Sequence, residues 1–189
     1  MAPGSPEEDQ VRTMTLEAWA DTIIPGEKRS PDDRAVAGVA TGGGSVAAGV
    51  IELLEMPEGG INEMLAYLAQ ALNGHATTYA AEHGIELDDT VPPFVALPYE
   101  HRAALVLVLT KPGHPEKEGW SLLALYSNMA FDAAPHRHLG EAMAEGHPGL
   151  LAMGFAQPDA DGLWRFPDYS YRRALANLHP NTTASGSPA

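Results

Sequence analysis

The stretch that decides the fold runs from Ile61 to Gly84 and reads I-N-E-M-L-A-Y-L-A-Q-A-L-N-G-H-A-T-T-Y-A-A-E-H-G. Its apolar residues recur three or four positions apart, the spacing that places side chains on one face of an α-helix. Gly84 then supplies a stop, because glycine adopts the left-handed backbone conformation that commonly ends helices. The pattern therefore predicts a long amphipathic helix.

The same spacing predicts helices on both sides of this one. Residues 15–24 place Trp19 and Ile23 on one face of a helix that Thr13 or Thr15 is expected to cap. Pro25 ends it, since proline disfavours the helical conformation at the preceding residue. Another predicted helix begins with Ser45 as its N-cap. Four more are predicted over residues 98–110, 115–132, 138–145 and 148–153.

These elements predict an all-α fold, a multi-helix bundle with a long irregular C-terminal segment rich in aromatic residues and proline. The run Leu105 to Leu109 would also suit a buried strand, but its unbroken lead-in favours helix. Because both ends of the chain are polar and carry prolines, we expect a disordered arm over residues 1–13 and a disordered tail over residues 179–189. One helical domain is expected between them, over residues 14–178.

Composition excludes several classes of function. The 189 residues carry 11 Lys and Arg against 25 Asp and Glu, a net charge of −14 that opposes nucleic-acid binding. Cysteine is absent, which excludes disulfides and thiolate metal ligands. No apolar run reaches the roughly 20 residues of a membrane span, and residues 1–10 do not resemble a secretory signal. We therefore expect a cytoplasmic protein that does not insert into membranes.

Ionisable residues cluster around Pro135. Asp132, His136 and His138 are the candidate catalytic residues, because imidazole and carboxylate groups can exchange protons near neutral pH. Histidines at a helix junction also serve as caps or solvated groups. No Glu-x-x-His or His-Glu-x-x-His motif occurs, so no metal site is predicted. An ion bound here would use His136, His138 and Glu141.

The most distinctive segment is residues 154–173, where aromatic side chains alternate with proline and aspartate. Aromatic residues and arginine are concentrated in protein interfaces and ligand sites. The same rings would also pin an irregular segment onto the helices, and both roles can hold together. The candidate partner- or ligand-binding residues are Phe155, Trp164, Phe166, Tyr169, Tyr171 and Arg172.

Residues 42–47 satisfy the pattern G-x-G-x-x-A, which occurs in dinucleotide-binding folds. That function requires a strand, the glycine turn, a helix and then a second strand. In this chain the predicted helix after Ser45 leads through Pro57 into another helix. The second strand is therefore missing, and the glycines are interpreted as a flexible loop.

Residues 16–26 read L-E-A-W-A-D-T-I-I-P-G and are followed by Ser30-Pro31 and a small apolar stretch over residues 35–39. This pattern resembles the N-terminal signature of the gluconate 2-dehydrogenase subunit 3 family, including its uncharacterised actinobacterial-type relatives. The resemblance covers about the first third of the chain. It implies a small helical partner of a flavin-dependent sugar or alcohol oxidoreductase, with FAD on a separate large subunit. Members of that family are often exported with a twin-arginine leader, and because residues 1–10 do not resemble one we expect none here.

Two functions follow as hypotheses. The first is an accessory subunit that supports a flavoprotein oxidoreductase and binds no redox cofactor itself. The alternative is a stand-alone small helical enzyme that acts on a small organic substrate of secondary metabolism. It would use histidine, aspartate or tyrosine side chains for acid–base chemistry. The sequence leaves a homodimer open.

Overall fold

The structure is a computed structural model, and it describes residues 5–155 and residue 181. The chain divides into two units, residues 1–155 and 156–189. The described residues of the first unit form helices and no strand, so the predicted all-α fold is confirmed. The expected domain limit at residue 178 lies outside the described residues. The α-helices are α1 (Pro6–Ile23), α2 (Val50–Glu55), α3 (Leu65–His83), α4 (Pro93–Ala96), α5 (Tyr99–Leu109), α6 (Lys117–Asp132), α7 (Leu139–Ala144) and α8 (Pro148–Ala152).

Helix α1 begins well before the predicted start. Ser5 is its N-cap, and the Ser5 hydroxyl accepts a hydrogen bond from the Glu8 backbone N–H at 3.2 Å. The Glu8 carboxylate in turn accepts from the Ser5 N–H at 2.7 Å, which completes a capping box. The cap predicted at Thr13 or Thr15 was therefore wrong. Residues 6–13, expected in a disordered arm, form the first turns of the helix.

Helix α2 is shorter than predicted, and Ser45 is not its cap. Residues 45–49 form turns, and α2 begins at Val50 after Gly49, whose φ of 84° lies in the left-handed region. A helix cannot continue through that conformation, so Gly49 separates the two segments. The buried Ser45 hydroxyl instead donates to the Ser127 carbonyl of α6 at 2.9 Å.

The central helices agree with the sequence. Helix α3 ends at Gly84 with φ 65°, the predicted left-handed stop. The run Leu105 to Leu109 lies in α5 and is helical, not a strand. A strand with this continuous apolar pattern would be buried on both faces. The helix is not, because Leu107 is 72% and Val108 52% exposed.

Trp19 lies at the centre of the main core. It is fully buried and packs against Trp120 with ring centroids 5.4 Å apart, and against Phe94 at 6.3 Å. Helix α1, which carries Trp19, contacts each of the helices α2 to α6. A smaller, separate apolar cluster forms where α7 and α8 meet, and we call residues 134–155 the α7–α8 lobe. The cluster consists of Ala134, Ala142, Met143 and Leu150, with Leu139 packed against it.

Candidate functional site

The end of α1 is held by a buried carboxylate. Asp21 is 1% exposed, and its two oxygens accept hydrogen bonds from the backbone N–H groups of Gly26 at 3.1 Å and Ala37 at 2.8 Å. Burial raises the pKa of Asp21, and these two hydrogen bonds act in the opposite direction. The aspartate of the sequence signature therefore fixes the path of the chain after α1.

Two glycine segments cross directly beside Asp21. The Glu27 N–H donates to the Gly42 carbonyl at 2.8 Å, and the Ser45 N–H donates to the Ile24 carbonyl at 3.1 Å. A Cβ atom on Gly44 would lie 2.4 Å from the Ile24 oxygen, closer than any real contact. The G-x-G-x-x-A pattern is thus explained by a close crossing of two backbones. Residues 35–40 contain no strand, so the dinucleotide interpretation remains excluded.

One candidate site lies where the α7–α8 lobe meets the loop formed by residues 43–49. The side chain of His136 is 1% exposed, and neither ring nitrogen has a hydrogen-bond partner among the described residues. Its Nε2 atom lies 3.9 Å from a carboxylate oxygen of Glu52. Burial lowers the pKa of His136, which Glu52 partly opposes. Gly49 makes room for the ring, since a Cβ there would lie 2.6 Å from Nε2.

His147 lies on the same boundary and was not identified from the sequence. It is 2% exposed and is the N-cap of α8. Its Nδ1 atom accepts a hydrogen bond from the Leu150 N–H at 3.3 Å, while Nε2 lies 3.2 Å from the Ala48 carbonyl oxygen. This pairing assigns the proton to Nε2 and leaves Nδ1 unprotonated. The sequence signal was the following Pro148, because proline favours the first position of a helix.

The structure places the predicted catalytic residues in different surroundings. Asp132 and His138 are exposed, whereas the His136 ring is buried. In the part of the chain that is described, no hydrogen bond or ion pair joins these three residues. His138 occupies the N-cap position of α7, and Glu141 is exposed on that helix. No group of three His, Asp or Glu side chains among the described residues could hold a metal ion, so His136, His138 and Glu141 do not form one.

Of the candidate partner- or ligand-binding residues, Phe155 alone lies within the described part of the chain. Phe155 is 43% exposed, and Leu151 and Met153 just before it are 51% and 60% exposed. We call residues 151–155 the apolar end of the lobe. The remaining candidates, Trp164, Phe166, Tyr169, Tyr171 and Arg172, lie outside the described residues.

A second candidate site is the contact between His75 of α3 and Glu116, the residue just before α6. The His75 Nε2 atom is 2.6 Å from a carboxylate oxygen of Glu116, which also accepts from the Trp120 indole N–H at 3.4 Å. The hydrogen bond to His75 lowers the pKa of Glu116. The Glu116 N–H also donates to the His114 ring at 3.2 Å. Glu116 therefore fixes the turn before α6.

A third cluster is aromatic and lies between α3 and α5. The Tyr79 hydroxyl is 3.2 Å from Nδ1 of His101, and the Tyr79 ring stacks on His83 at 3.9 Å. The His83 Nδ1 atom is 2.8 Å from the Tyr79 carbonyl oxygen. A cleft of about 310 Å³ lies elsewhere, along α1, where Arg29 pairs with both Glu17 and Asp33. No predicted catalytic residue lines that cleft.

A family model described as a family of unknown function, DUF5987, matches residues 10–189. The chain belongs to this family. No curated protein and no solved structure matches it. Among the described residues, no helix combines the length and apolarity that crossing a bilayer requires.

Proposed function

We propose that this member of DUF5987 is an accessory subunit that binds a flavin-dependent sugar or alcohol oxidoreductase and carries no redox cofactor of its own. FAD would lie on the large subunit of the partner. The proposal starts from the resemblance of residues 16–26 to the gluconate 2-dehydrogenase subunit 3 family. It rests on the apolar end of the lobe as the surface that meets the partner.

The exposed apolar side chains at the end of α8 are the observation that carries the proposal. Leu151, Met153 and Phe155 are all more than two-fifths exposed within five residues of chain. Apolar side chains exposed together mark interaction surfaces, because water contact with them is unfavourable. They lead directly into the aromatic residues of segment 154–173. Both parts together would give a partner the apolar and aromatic contacts that protein interfaces use.

The carboxylates of the signature support a structural rather than a catalytic role for it. Asp21 is occupied by two backbone N–H groups, those of Gly26 and Ala37. Glu17 pairs with Arg29, whose Nη2 atom lies 2.8 Å from a Glu17 oxygen. Both carboxylates are therefore bound by groups of this chain, and the signature serves to build the bundle that presents the lobe.

The experiment is affinity purification of the tagged chain from its native host. We expect a flavoprotein to elute with the chain and to show the absorption of oxidised flavin, and the chain expressed alone in a foreign host to show none. A chain that elutes from its native host without a flavoprotein, or that is yellow by itself, would contradict the proposal.

Substitution at the apolar end of the lobe tests where the partner binds. We predict that Leu151→Ser combined with Met153→Ser weakens binding to the flavoprotein about tenfold or more, since two apolar contacts lose at least about 1.4 kcal/mol. Isothermal titration calorimetry measures the change. Leu107→Ser is the matched control, because Leu107 is more exposed than either but lies on α5. Equal weakening by the control would show that the lobe is not the binding surface.

A further inference from the structure

We propose that the α7–α8 lobe is released from the loop 43–49 in mild acid, with His136 as the group whose protonation drives the release. The proton is the ligand of this site. The proposal concerns the chain itself and holds whether or not a flavoprotein binds to it.

The lobe can move because it has its own apolar cluster. Its buried side chains pack on one another, apart from the main core. Pro148 packs on Gly43, where a Cβ would lie 2.8 Å from the proline ring. His136 and His147 also contact this loop, at Gly49 and at the Ala48 carbonyl. Gly149 joins the lobe to α6 through close contact with the Phe131 backbone. Release from the loop therefore leaves the lobe intact and still attached to α6.

His136 must be neutral in the docked lobe. Its ring is buried and neither nitrogen makes a hydrogen bond of ordinary geometry, so a proton added there would place a cation in a site with only poor acceptors. Three titratable or charged groups act on it: Glu52 from α2, His147 from the start of α8, and Arg137 beside it. Glu52 and the Ala48 backbone favour the cation, but burial outweighs both. The Glu52 side chain is 74% exposed, and its oxygen is 3.9 Å away, beyond hydrogen-bond distance.

His147 holds the lobe against the same loop. Its Nδ1 atom is the acceptor for the Leu150 N–H, and its Nε2 atom faces the Ala48 carbonyl. Both contacts depend on the docked position of the lobe, so the Leu150 amide reports whether the lobe is docked.

The direction of the pH effect follows from linkage. The pKa of His136 is lowered by burial, so the released lobe, in which the ring reaches water, takes up a proton more readily than the docked lobe. Docking is therefore fully favourable above the ordinary histidine pKa of 6.5 and is lost as the pH falls below it. Release also changes how the apolar end of the lobe is presented.

Amide hydrogen exchange followed by NMR tests the proposal on the full chain. We expect the protection factors of the Leu150 amide and of the amides in loop 43–49 to fall about tenfold or more between about pH 7.5 and about pH 5.5, after correction for intrinsic rates. The amides of α3 should keep theirs. The variant His136→Leu should show equal protection at both pH values, because leucine occupies the buried site without titrating.

His83→Gln is the matched control, since His83 is an exposed histidine on α3, and it should leave the acid response unchanged. Wild-type protection that does not change with pH, or a His136→Leu variant that loses as much as wild type, would overturn the proposal. Should that variant fail to fold, the wild-type ring signals of His136 decide it. His136 must titrate together with the loss of protection, and titration at a different pH would refute the proposal.

Discussion

At the scale of single residues, the groups that look functional in the sequence serve the backbone. Asp21 holds two N–H groups, and the glycines at 26 and 44 allow two segments to cross at van der Waals distance. A buried carboxylate and a glycine-rich loop are also what catalytic and nucleotide sites use. Only the identity of the partner atoms separates the two cases, and in this protein those atoms belong to the chain itself.

We predict that Gly44→Ala lowers the free energy of unfolding by about 1–3 kcal/mol or more, because the new methyl group would lie 2.4 Å from the Ile24 oxygen. Urea denaturation measures the change. Gly74→Ala is the control: Gly74 lies inside α3 with no atom near its missing Cβ. It should raise stability by about 0.5–1 kcal/mol. A neutral Gly44→Ala would show that the crossing can relax.

At the scale of elements, periodicity predicts the middle of a helix better than its ends. The apolar spacing of α3, α5 and α6 identified each of them, because a helix that buries one face carries an apolar residue at every third or fourth position. The ends depend on a few hydrogen bonds. The start of α1 was missed although Ser5 and Glu8 form a capping box, because the preceding arm is proline-rich and acidic.

The candidate site shows the same limit more strongly. His136, His147 and Glu52 meet only after folding, since the Ala48 carbonyl that His147 contacts is 99 residues away in sequence. Local spacing suggested instead that His136 and His138 act together. The chain turns between them, so that one ring is buried and the other exposed. Residue type identified one member of the site, and only the tertiary contacts identified the others.

The capping box of α1 gives a prediction at this scale. Ser5→Ala removes the acceptor for the Glu8 N–H, and we expect it to cost about 1 kcal/mol and to shorten α1 at its first turn. Hydrogen exchange of the first-turn amides, together with thermal denaturation, measures both effects. Ser5→Asp, which preserves an acceptor at the N-cap, should restore stability. A loss that Ser5→Asp does not restore would mean that the cap is not the cause.

At the scale of the whole molecule, one buried cation ties distant segments together. Arg102 on α5 is 5% exposed and donates to the carbonyls of Leu97 at 2.9 Å, Ala35 at 2.8 Å and Val95 at 2.5 Å. Burial lowers the pKa of Arg102, and the negative charge of Asp21 raises it. The guanidinium therefore joins α5 to the segment that Asp21 holds at the end of α1.

We predict that Arg102→Met lowers the free energy of unfolding by about 3 kcal/mol or more, because it leaves at least three buried carbonyls without a donor and Asp21 without a compensating cation. Arg12→Met is the matched control. Arg12 pairs with Glu55 at 2.7 Å on the surface, where an ion pair contributes about 1 kcal/mol or less. Urea denaturation of both variants gives the comparison. If the two losses are similar, the buried cation contributes no more to the stability of the bundle than a surface ion pair does.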